Sequence, residues 1–107
     1  MANFVLLYSG GSGMAEDPAA LEAANQAWGM WFGKLGGALI DAGQPFAPAV
    51  KSIKSNGSVI DGPIGSMSTG YSVLQADSLS AAVELARDCP IFLTGGDVSV
   101  YEALPIM

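Results

Sequence analysis

Apolar residues recur along this chain with two different periods, and the switches between them mark its elements. Residues 3 to 8, NFVLLY, are apolar on both alternating faces. Phe4, Leu6 and Tyr8 point one way, Val5 and Leu7 the other. That pattern predicts a strand covered on both sides. After a glycine-rich loop, Asp17-Pro18 opens a helix: the aspartate caps free amides and proline tolerates the first helical position. Leu21, Ala24, Trp28, Trp31/Phe32, Leu35 and Leu39 then recur at three- and four-residue steps, a single apolar stripe. The stripe predicts a helix to Asp41 or Ala42 with Gly43 as its cap. Gly29, Gly33, Gly36 and Gly37 lie within it and point to close backbone packing, a break at Gly36-Gly37 being the competing reading.

Pro45 and Pro48 mark an extended connection. Asn56-Gly57 fits a two-residue hairpin turn in which Lys54 faces Val59 and Ile53 faces Ile60. Gly70 to Ala76, GYSVLQA, is the next strand. Asp77 or Ser78 caps a second helix whose buried stripe is Leu79, Ala82, Val83 and Ala86, with Leu85 at its margin. Pro90 stops it, and Val98 and Val100 alternate with Ser99 and Tyr101 in a last strand. The order is β-α-β-β-α-β with an extra hairpin strand at residues 58 to 61. This predicts an α+β, ferredoxin-like single domain over residues 1 to 107, with an antiparallel sheet and both helices on one face. A first strand greasy on both faces then needs a cover for the open face, and a second copy is the simplest.

Composition sharpens that expectation. Half of the residues are apolar and 13% are charged, lean for a surface that water alone must solvate. Ten acids and four cations give a net charge of −6. Lys34, Lys51, Lys54 and Arg87 form no stripe, so no nucleic-acid or anionic-membrane partner is expected. Cys89 is the only cysteine, so no intrachain disulfide can form. The opening MANFVLLYSGG lacks a basic stretch and is too short for a signal or a span, which makes the cytoplasm the expected compartment.

The stretch from Asp61 to Pro90 also carries a resemblance. Asp61-Gly62-Pro63, Gly70-Tyr71, Ala76-Asp77-Ser78-Leu79 and Cys89-Pro90 follow in order behind the FVLLY strand and the aromatic segment AWGMWFGKLGGALIDAG. The set resembles the YCII-related (DGPF-domain) family of the dimeric α/β-barrel superfamily. The resemblance implies a ferredoxin-like protomer, a homodimeric α/β barrel, and a pocket between sheet and helices. It also implies lyase- or oxygenase-like chemistry on a small apolar or aromatic ligand. Two departures stand out. Ile64 replaces the aromatic of the Asp-Gly-Pro-Phe turn, and the chain has no histidine, so an imidazole mechanism cannot be carried over. Asp61 matches the motif's aspartate.

Candidate chemistry is sparse. Asp61 is the candidate catalytic acid, as a general base or a polar anchor; the alternative is that it organises its own turn. Tyr8, Trp28 and Tyr71 are candidate ligand-binding residues flanking one pocket, against the alternative that they are core with polar tips at the rim. The Gly10–Gly13 loop lacks the phosphate-loop lysine, and Glu16 stands where a third glycine belongs. No Gly-x-Ser-x-Gly elbow and no His/Cys cluster exists, so neither a metal site nor a cofactor is expected. Cys89 beside Pro90 reads as a small buried hydrophobe. Two functions stay open: a cytosolic ligand-binding protein of YCII type, or a non-catalytic homodimeric interaction module.

Overall fold

A computed structural model describes residues 1–10 and 17–106. Glycines 11 and 13 and Glu16 of the glycine-rich loop therefore lie outside the described residues. The elements run β1 (Ala2–Ser9), α1 (Pro18–Leu35), β2 (Leu39–Asp41), β3 (Lys51–Ile53), β4 (Val59–Asp61), β5 (Ser68–Ala76), α2 (Leu79–Ala86) and β6 (Asp97–Ala103). Short 3₁₀ turns at Gly36–Ala38 and Pro90–Thr94 follow the helices. The main sheet has the order β2-β5-β1-β6. β1 pairs antiparallel with β5 and β6, and β2 pairs antiparallel with β5. This is an α+β protein with a four-stranded antiparallel sheet and two helices, in a topology compatible with the ferredoxin-like arrangement.

The alternation in β1 fixes which face is core. Phe4, Leu6 and Tyr8 point inward and are buried. Leu74 and Ala76 of β5 join them, together with Trp31 and Leu35 of α1 and Ala82 and Ala86 of α2. Both helices thus cover the same side. Cys89 belongs to this core, as expected from its sequence setting. Val5, Leu7 and Val73 project from the other face, which no described helix covers, and they are only half-buried.

Helix ends follow local chemistry. Asp17 accepts a hydrogen bond from the Ala19 amide at 3.3 Å. Ser78, rather than Asp77, caps α2 through the Ala81 amide at 3.1 Å.

Four expectations need correction. First, α1 ends at Leu35, where Gly36 takes φ +54 as its cap, and Leu39–Asp41 forms β2. The break, not the continuous helix, holds, because a left-handed glycine stops a helix even where the apolar period runs on. Second, the helical glycines mark no close approach. A Cβ built at Gly29, Gly33, Gly36 or Gly37 would meet nothing within 4 Å. Third, the hairpin register is shifted by one. Lys51 faces Asp61, Ser52 faces Ile60 and Ile53 faces Val59. The Gly57 amide donates to the Lys54 carbonyl, and only Gly57, at φ +89, is left-handed. That is a three-residue loop with a glycine bulge, which asks for positive φ once and not twice. Fourth, the buried side of α2 is rotated. Leu85 packs on the core, while Leu79 and Val83 face outward.

The β3–β4 hairpin forms a sheet of its own, separate from the main one. It is inserted in the connection from β2 to β5, after the Phe46 amide has donated to the Thr69 carbonyl. The chain measures 44 × 41 × 19 Å, with a radius of gyration of 15.2 Å. A compact domain of this length has about 13 Å.

Candidate functional site

The space between sheet and helices is filled by aromatic rings. Trp28 meets Tyr8 edge-on at 5.3 Å between centroids and Trp31 at 5.8 Å. Phe32 closes the cluster at 5.4 Å from Trp31. The Trp31 indole N–H donates to the Leu85 carbonyl at 3.2 Å, fastening α1 to α2. These offset and edge contacts are what ring quadrupoles favour, and they leave the cluster closely packed. The stripe in the sequence places Trp28, Trp31 and Phe32 on one side of α1, and the alternation of β1 supplies Tyr8 beneath them.

Below the rings runs a short polar chain. The Tyr8 hydroxyl donates to Ser72 Oγ at 2.7 Å, and Ser72 donates to the Ala42 carbonyl at 2.7 Å. Ser72 is fully buried. It ties β1, β5 and the end of β2 together, and every buried side-chain nitrogen or oxygen among the described residues has a partner. Burial drives the Tyr8 phenol well above its ordinary range. The Cys89 thiol, beside that phenol, is pushed up to about 11, also by burial. Neither group is prepared for acid-base or nucleophilic work near neutral pH. Sequence reasoning missed Ser72. The signal was its place among inward positions of GYSVLQA, between Gly70 and Leu74, where an apolar residue is the rule.

Tyr71 lies on the opposite face. Leu7 pairs with Tyr71 while Tyr8 pairs with Gly70, so the two tyrosines cannot flank one pocket. The Tyr71 hydroxyl donates to Asp41 Oδ2 at 3.3 Å, and Phe46 stacks on its ring at 5.9 Å and 24°. The negative charge of Asp41 raises the pKa of the Tyr71 phenol. Asp41 also accepts from the Gly43 amide at 2.8 Å, which holds the bend after β2.

Asp61 stands apart from both clusters. It closes the hairpin opposite Lys51, with Nζ to Oδ1 at 2.5 Å, and its side chain is 86% exposed. The pair sits in an open groove of about 490 Å³ on the arm, lined also by Pro48, Val50 and Met67. A second groove of about 360 Å³ runs between α2 and β6, walled by Leu79, Val83, Phe92, Val98 and Val100. Of the four residues singled out by sequence, the structure brings together Tyr8 and Trp28 and leaves Tyr71 and Asp61 on separate surfaces. No protein-family model matches the chain, and no curated protein does.

Proposed function

We propose that this chain is a YCII-like homodimeric interaction module that pairs through its open sheet face and performs no catalysis. One observation carries the reading. The open face has an apolar centre of Val5, Leu7, Val73 and Tyr101 within a rim of Asn3, Gln75, Ser99 and Asp97, and no described helix covers it, while the space expected to hold a ligand is packed with Trp28, Trp31, Phe32 and Tyr8. A second copy laid face to face would close two such sheets into a barrel and remove these side chains from water. Val5, Leu7 and Val73 are already half-buried, so each gains only part of the roughly 1.5–3 kcal/mol that full burial of such a side chain contributes. Sedimentation at micromolar concentration tests it. A dimer is expected, and Val73→Lys should convert it to monomer; a wild-type monomer at tens of micromolar sinks the reading.

A second reading, the binding of a small aromatic or hydroxy-acid ligand, is favoured by one arrangement. The Tyr71 hydroxyl, the Asp41 carboxylate and the Phe46 ring form a polar-aromatic corner on the face that pairing would enclose. A thermal-shift panel of such compounds separates the two. No stabilisation is expected for a pure interaction module. A compound that raises the melting temperature of the wild type but not of Tyr71→Phe would replace that reading with this one.

A further inference from the structure

Among the described elements, the hairpin arm has the least support from the rest of the fold. A lone two-stranded hairpin is marginally stable in water, yet β3 and β4 form a separate sheet with no third strand. On one of its faces lie Lys51, Ile53, Val59 and Asp61, all exposed, with Ile53 at 70% and Val59 at 60%. Charge sets the arm apart too. Residues 42 to 67 hold two of the four cations and one of the ten acids, for a net +1, so the rest of the chain carries −7. Lys34, Arg87 and Lys51 each have a carboxylate partner, whereas Lys54 has none among the described residues.

A surface of complementary character lies at the far side of the sheet. β6 is an edge strand seven residues long, paired to β1 on one side only. It carries exposed Asp97 and Glu102. Glu102 shares a sheet face with Val98 and Val100, which help to wall the 360 Å³ groove against α2. An unpaired edge beside an apolar groove accepts an added strand, the backbone pairing with the edge and alternate side chains filling the groove. Within one chain the arm and this edge do not pair: the arm is inserted between β2 and β5, and β6 lies beyond β1 at the opposite margin of the sheet. Two copies packed face to face about a two-fold axis parallel to their strands lay the β2 margin of each along the β6 margin of the other.

Area points the same way. Four strands at about 4.8 Å spacing and eight residues at about 3.3 Å rise give a face of about 500 Å² per copy, or about 1,000 Å² for a pair. That is the lower bound for a specific interface. Two arms reaching across to the other copy would lift the pair above that bound.

We propose that the arm of each copy clasps a second copy, β3–β4 adding to the free edge of β6 with Ile53 and Val59 seated in the groove between β6 and α2. The clasp rests on the face-to-face pairing proposed above. Sedimentation equilibrium on the full chain tests it, using variants at exposed positions whose folding is checked by circular dichroism. Ile53→Asp should raise the dimer Kd at least tenfold. Asp97→Lys combined with Glu102→Lys should weaken the dimer severalfold at low salt, and adding Lys54→Glu should restore at least half of the loss. If all arm and edge variants keep the wild-type Kd while Val73→Lys yields monomer, the clasp is wrong and the face pairing stands. If the wild type is itself monomeric, both fall.

Discussion

At Gly43 the chain comes so close to β5 that no side chain fits. A Cβ there would lie 1.6 Å from the Tyr71 carbonyl oxygen, and φ is +78. Both the clash and the strain fall on backbone, which cannot yield without breaking the junction of β2 and β5. Gly43→Ala should therefore cost about 3 kcal/mol or more, read as a lower urea midpoint. The sequence drew attention to Gly43 for the wrong reason, as a helix cap, because nothing local reveals a close approach between distant segments. Cys89 supports a second prediction. Its ordinary pKa is 9.0 and its folded value about 11, so the folded state keeps a proton that the unfolded chain gives up. A raised value contributes stability that is complete below pH 9 and lost as pH climbs to about 11. The loss is on the order of 2–3 kcal/mol. Unfolding measured between pH 8 and 10 should show the start of this decline, and Cys89→Ala should remove most of it there; above pH 10 the raised Tyr8 phenol adds a decline of its own. A decline just as steep in the variant would mean that other groups cause it.

Among the elements, α1 offers the clearest test of what the glycines do. Gly29 and Gly33 are exposed, lie inside the helix at negative φ, and have open space where a Cβ would go. Each Gly→Ala change should stabilise the protein by about 0.5–1 kcal/mol, since alanine loses less backbone freedom on folding. A loss of stability on either change would mean that an unseen neighbour occupies that face. The elements also mark where pattern reading works. β1, β5, β6 and the start of α1 carry strong periods and fall where the periods put them. β2 did not, because three residues make no period and Leu39 continues the spacing of Leu35. The hairpin was legible in Asn56-Gly57, but its register was not. That dipeptide suits two loop lengths, and a single slip turns an Ile53–Ile60 pair into the Ile53–Val59 and Lys51–Asp61 pairs observed. The candidate site was legible in residue type and not in place. A strand position shows which residues share a face, and so separates Tyr8 from Tyr71 once the register is known. It does not reveal that Asp61 sits on a hairpin outside the main sheet, since that depends on where β2 lies.

The molecule as a whole is a slab. Its shortest dimension, 19 Å, is one sheet and one layer of helices, and one broad side is left without cover. If two copies share that side, unfolding becomes bimolecular in reverse, and the melting temperature rises with protein concentration. Scans from 1 to 100 µM should show that rise, and Val73→Lys should abolish it. A concentration-independent midpoint would indicate that the lone copy is self-sufficient.

The thinness of the slab has one more consequence. In a structure a single helix deep, hardly any backbone lies more than one side chain from solvent, so local opening anywhere exposes much of the interior. A newly made copy that has not met its mate would be an easy substrate for proteolysis, and a mated one a poor substrate. The abundance of such a protein would then track its rate of synthesis more steeply than linearly, because turnover falls as encounters become frequent.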